Sequence, residues 1–175
     1  MPHFADMKNP LLPLALLAAL LHLRAEPSAA PRAEAGKPFP VYTLKDAHDV
    51  EHTLAKDTRF VIITSEKDIS GKVSDWLKAQ PAGYLAEHKT EVVSDITPMP
   101  AVITSLFAKP KMKKYPYTLL LADDKTFAEI YPAKKGHIAL FVLDEKQVLT
   151  RIDHHPEAKD VAAVIEAAFP AKASP

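Results

Sequence analysis

The chain has 175 residues, 47% apolar and 25% charged, the balance of a globular protein and not of a fibrous or disordered one. Its 22 Lys and Arg match 22 Asp and Glu, so no net field favours nucleic acid or an anionic membrane. It contains 0 cysteines, which excludes disulfides, thiolate catalysis and thiolate ligation of a metal.

The N-terminal stretch reads as an export signal. Lys8 precedes an apolar run from Leu11 to Leu23. That run falls short of the roughly 20 residues a spanning helix needs, but it suits a signal h-region. Small-residue cleavage sites follow at Ala25 and at Ala35, so a mature chain would start at Glu26 or Gly36. The expected location is periplasmic or secreted, with no stable membrane anchor. Residues 1–25 are assigned to the signal peptide and 26–38 to a flexible linker rich in Ala and Pro. Residues 39–169 form the ordered domain, and 170–175 a disordered tail.

Within the domain, Phe39 to Leu44 and Val50 to Leu54 flank the turn residues Asp46-Ala-His-Asp49 and read as a hairpin. Phe60-Val-Ile-Ile-Thr64 is a continuous apolar run, as in a strand buried on both faces. Ser70 is placed to cap a helix that shows Val73, Trp76 and Leu77 on one side. Glu91 to Ser94 is a second strand. Pro100 opens a helix with an apolar stripe of Val102, Ile103, Leu106 and Phe107, and Pro110 ends it. Tyr117 to Ala122 is a third strand. Ile138 to Leu143 and Val148 to Ile152 form a hairpin around Asp144-Glu-Lys-Gln147. Pro156 then opens a last helix carrying Val161, Val164, Ile165 and Phe169. Strands alternating with helices imply crossovers, hence an α/β fold with a central mixed sheet, helices on both faces and an N-terminal β-hairpin.

Three segments carry a family resemblance. Phe39-Pro-Val-Tyr-Thr-Leu-Lys-Asp46 resembles the opening of redoxins and peroxiredoxins. Tyr115-Pro-Tyr-Thr-Leu-Leu-Leu-Ala-Asp123 resembles their strand that begins Tyr-Pro and ends in Asp. Gly136-His-Ile-Ala-Leu-Phe-Val-Leu-Asp144 resembles the strand that follows their cis-proline. The resemblance covers about residues 38–169 and implies a thioredoxin-like fold. Ser94 to Pro100 together with Phe107 to Tyr117 also resembles a small group of uncharacterised exported proteobacterial proteins. The 4 glycines form no Gly-x-Gly-x-x-Gly loop to hold a pyrophosphate, so no flavin or other cofactor is expected.

The redox site of that family does not carry over. Where its two thiols stand, this chain has Ser65-Glu-Lys-Asp-Ile-Ser70, and where the cis-proline stands it has Ile138, preceded by His137. The resemblance therefore implies a thiol-free, redoxin-like protein with no thiol-disulfide or peroxidase activity. Its expected role is to bind another envelope protein at the sheet edge where the thiols would be. Asp68, Asp95, His137 and Ile138 are the expected binding residues, and Lys111 to Tyr115 is expected at the opposite edge. Two other readings stay open. His48 and His52, with Asp46, Asp49 and Glu51, or the pair His154 and His155, supply metal-capable side chains for a metal- or haem-associated accessory protein. An enzyme with non-thiol chemistry near Asp95 is the third.

Overall fold

The continuous apolar run Phe60-Val-Ile-Ile-Thr64 forms a strand, β3 (Phe60–Thr64), in which every residue is buried. Only the centre of a sheet covered on both faces accommodates such a strand. The computed structural model describes residues 31–169. In it β3 runs parallel to β4 (Thr90–Asp95) on one side and antiparallel to β6 (Ile138–Leu143) on the other. The hairpin β1 (Thr43–Asp46) and β2 (Glu51–Thr53) joins through β5 (Leu120–Ala122), and β7 (Leu149–His155) closes the far edge. The order is β2-β1-β5-β4-β3-β6-β7, a mixed sheet of seven strands.

Side chains alternate between two apolar layers. Phe60, Ile62, Val92, Ile138 and Leu140 face α1 (Lys67–Lys78) and the last helix, α6 (Ala158–Ala168), which bury Val73, Leu77, Val161 and Ile165. Val61, Ile63, Val93, Ala139 and Phe141 face the other layer, which holds Phe39, Tyr42 and Tyr131 together with Phe127 of α5 (Lys125–Ile130). Helices thus lie on both faces, as the alternation of patterns requires.

Several boundaries differ from the sequence reading, each for a local reason. Helix α1 starts at Lys67, one turn before the expected Ser70 cap, because Glu66 takes the extended N-cap conformation. Ser70 donates instead to Thr64 Oγ1 at 2.8 Å. Two short helices were not foreseen: α2 (Tyr84–Glu87) and α5. Their periods are too short to read, although Asp124 Oδ1, accepting from the Thr126 N–H at 2.9 Å, caps α5 in a recognisable way. Pro110 does not end its helix. The chain runs from α3 (Ala101–Ile103) through a π-helical turn (Thr104–Ala108) into α4 (Lys109–Met112), with Pro110 inside. A proline ring collides with the carbonyl four residues back, here Leu106, and the widened π turn lies at that point. The segment Ala33 to Pro38, read as flexible linker, is fastened to the domain. The Ala33 N–H donates to Ile130 O at 2.8 Å, the Gly36 N–H to Leu149 O at 2.7 Å, and Ala33 is buried. The expected signal peptide (1–25) and C-terminal tail (170–175) lie outside the described residues.

One polar knot ties the β1–β2 hairpin to the sheet. Glu91 of β4 accepts from Tyr42 Oη at 2.7 Å, Thr58 Oγ1 at 2.7 Å and the Ala55 N–H at 2.9 Å. Tyr42 is buried, and burial, then the Glu91 charge, push its hydroxyl well above the usual tyrosine value, so it stays a donor. Glu91→Ala strands three donors, one of them a buried phenol. Urea denaturation should show a loss of about 1–3 kcal/mol, and a change within about 0.5 kcal/mol would show that the knot is not structural.

Candidate functional site

The C-terminal ends of β3 and β4 meet a cavity of about 500 Å³. Ligand sites in open α/β sheets lie at this edge. Thr64 and Ser65 follow from β3, and Val92, Ser94 and Asp95 from β4. One wall is α1, through Ser70, Gly71, Val73 and Ser74. The opposite wall is the α3–π–α4 helix, through Ile103, Phe107, Ala108, Lys111 and Met112, and Tyr115, Tyr117, Met99 and Leu119 complete the enclosure.

That helix is the feature the sequence pattern misjudged. A stripe of Val102, Ile103, Leu106 and Phe107 predicts a buried face. The structure leaves these four 64%, 44%, 63% and 65% exposed. The helix stands off from the sheet, with Ile103 and Phe107 lining the cavity and Val102 and Leu106 outside its lining. Its far end is held by Lys109, whose Nζ donates to Asp49 Oδ1 at the hairpin tip at 2.6 Å. The basic run is thus partly helical, and Lys111 and Tyr115 belong to the same cavity as Asp95. The expectation that Lys111 to Tyr115 occupies the opposite edge is corrected, because the helix lies across the mouth instead of leading away from it.

The cavity's polar groups are few. Asp95, buried, accepts from the Thr97 N–H at 2.9 Å and Thr97 Oγ1 at 2.6 Å in a tight turn, and does not cap the helix after Pro100. Ser74 on α1 is 5% exposed, and its hydroxyl has no hydrogen-bond partner. Tyr117 lies nearby. Burial pushes its hydroxyl up to about 12, and the Ser74 hydroxyl beside it pulls it partly back. Ser74 and Gly71 were not singled out by the sequence, and Phe107 only as part of a stripe expected to be buried. A glycine inside a helical pattern was the one available signal.

The other expected binding residues are dispersed around this edge. Asp68 is exposed in the first turn of α1, outside the cavity lining. His137 donates from Nδ1 to Lys135 O at 2.8 Å in the turn before β6. Glu66 accepts from the Gly136 N–H beside it at 2.5 Å, which fastens the start of α1 to that turn. Ile138, at the position of the family's cis-proline, is 0% exposed, so its side chain offers no surface to a ligand. Its peptide bond is trans, as are all others among the described residues.

No three His, Asp or Glu side chains converge to hold a metal ion among the described residues. The candidate set in the first hairpin resolves into a turn. Asp46 Oδ1 accepts from the His48 and Val50 N–H groups at 2.8 and 3.0 Å, and Oδ2 accepts from His52 Nε2 at 3.0 Å. His154 and His155 are successive residues of β7, whose side chains leave on opposite faces. His154 is held below the usual histidine value by burial, then by His137 and Lys134. A second cavity, of about 490 Å³, lies beside Gln80 to Ala86, the α1–α2 loop and the start of α2, and has Glu91 in its lining. Glu91 is already occupied by its three donors.

The first hairpin supplies a pH test. Burial alone would raise the Asp46 pKa, but the bonds from His52, Val50 and His48 favour the charged form, and the net value lies below the usual carboxylate range. Its stabilisation is present above the unfolded carboxyl value of about 3.9 and is lost as pH falls through the lower folded value. The amide resonances of His48 and Val50 should therefore hold their positions down to about pH 4 and move only below it. A midpoint at or above that value contradicts the assignment.

No family model matches the chain, and no curated protein is similar to it. Solved structures do match. A peroxidoxin from Mycobacterium tuberculosis superposes with TM-score 0.55 at 16% identity, over 82% of this chain and 100% of that one. A hypothetical protein from Sinorhizobium meliloti gives 0.54 at 20%, over 79% and 86%. A putative thiol:disulfide interchange protein from Chlorobium tepidum gives 0.52 at 12%, over 78% and 96%. At such identities the likeness is one of fold. The chain has a thioredoxin-like, redoxin-like fold that carries no cysteine.

Proposed function

We propose that this is an exported binding protein of the cell envelope that receives a partner protein at the mouth of the cavity and performs no thiol chemistry. The observation that supports this most is the exposed apolar helix. Val102, Leu106 and Phe107 are each more than 60% exposed beside an open cavity. Contiguous apolar surface of this kind marks interaction sites. The partner that fits is a protein segment with apolar side chains for this stripe and acidic ones for Lys111, Lys113 and Lys114. From Ile96 to Ala122 this chain has no acidic residue. The lack of a nucleophilic sulfur supports a role in binding over one in electron transfer. The apolar run from Leu11 to Leu23 supports export.

A photo-crosslinking side chain at position 107 in the native cell should trap one discrete protein adduct. The same group at Val41, also exposed but outside the cavity lining, should not trap it. Leu106→Asp should remove the adduct. Equal adducts from both positions, or an adduct indifferent to Leu106→Asp, would contradict a partner at this face. Insulin reduction by the pure protein should stay at the buffer rate, and turnover above it would overturn the thiol-free reading.

A further inference from the structure

We infer that the export signal is removed at Ala25 and not at Ala35, so that the mature protein starts at Glu26 and keeps residues 33–39 as a strap along the edge of its sheet. This rests on the export reading and decides between the two cleavage sites that the reading leaves open.

The cleavage pattern by itself points the other way. Small residues at the third and the last position before the cut mark a signal-peptide site. Ala33-Glu34-Ala35 meets that rule at both positions, and Leu23-Arg24-Ala25 at only one. The signal is cut before the chain folds, so burial does not shield a bond from cleavage. Burial shows instead which residues the mature fold uses.

The fold uses the residues of the second site. The compact unit that contains the sheet begins at Pro31. Ala33 is 2% exposed and packs in the layer of Phe39, Tyr131 and Phe141. Its N–H donates to Ile130 O at 2.8 Å. A residue discarded before folding has no place in a core.

The bond that the second site would cut, Ala35–Gly36, is the central peptide of a β-turn. The Lys37 N–H closes that turn by donating to Glu34 O at 3.1 Å. Gly36, at the third position, has φ of 82°, a left-handed angle that glycine adopts without strain. The turn aims the chain along β7. The Gly36 N–H donates to Leu149 O at 2.7 Å, the Leu149 N–H to Lys37 O at 2.9 Å, and the Phe39 N–H to Gln147 O at 2.8 Å. On its other side β7 pairs with β6. The strap therefore covers the start of an edge strand, and an uncovered edge invites pairing with another chain. A cut after Ala35 would remove Ala33, open the turn and leave a charged amino group on Gly36.

The test is mass spectrometry of the intact protein purified from its native cell, with sequencing of its N-terminal peptide. A start at Glu26 is expected. A start at Gly36, or at any other residue beyond Pro31, overturns the inference and leaves export standing. An uncleaved chain beginning at Met1 or Met7 overturns the export reading and the inference with it. Two variants of the full-length chain locate the cut independently of stability. Ala25→Leu should make the precursor accumulate, because the residue before the cut must be small. Ala35→Leu, at an exposed position, should be processed as before. The reverse pattern overturns the inference. In the purified mature protein the Ala33 amide should exchange with solvent at least about tenfold more slowly than in a free chain. Exchange at the free-chain rate would show that the strap is not part of the fold, and that too overturns the inference.

Discussion

Everything in this fold depends on β3 being buried on both faces. Five consecutive residues, Phe60–Thr64, have no route to solvent. That requires a strand on each side and a helical or apolar layer above and below. Residues 60, 62 and residues 61, 63 seed the two layers, and the covering elements follow from them. The same constraint locates the site. The chain must leave the sheet where β3 and β4 end, and the first helix must start there to cover the face it has just exposed. The cavity is the space between that helix and the next one.

In the redoxin pattern that this chain resembles, two thiols stand at that exit. Here the exit is Ser65-Glu66-Lys67, and Glu66 spends its carboxylate on the Gly136 N–H. The result is a structural fastening between α1 and the turn before β6 where a reactive pair would otherwise face that turn. The cavity beside that exit continues along α1 past Gly71 to the stand-off helix. A fold can keep its framework and change its chemistry in this way because the framework rests on the two apolar layers and not on the exit turn.

How much of this was legible in the sequence follows from what each pattern measures. The runs at Phe60 and Ile138 and the alternation with helical segments specify buried strands and crossovers, because those are set by backbone period and burial together. The apolar stripe at Val102, Ile103, Leu106 and Phe107 specifies a helix equally well. It does not say what covers the stripe, since period is a property of one element and burial a property of two. Pro110 misled for a related reason: a proline is a break only if the preceding turn cannot widen, and a π turn widens it. Ser74 is invisible because a serine in a helix ordinarily finds water or a carbonyl four residues back. The hairpin acids and histidines were legible as a cluster but not as a turn, which is what Asp46 makes of them.

The central claim is that the α3–π–α4 helix holds its apolar stripe away from the sheet, open to solvent at the mouth of the cavity. Solvent paramagnetic relaxation measures this directly, with a soluble nitroxide added to labelled protein. The account predicts strong broadening of the side-chain resonances of Val102, Leu106 and Phe107, while those of Val73 and Val92, buried in the adjoining wall and sheet, stay sharp. Protection of Leu106 and Phe107 equal to that of Val73 would mean that the helix closes onto the sheet, and it would remove both the docking face and the cavity.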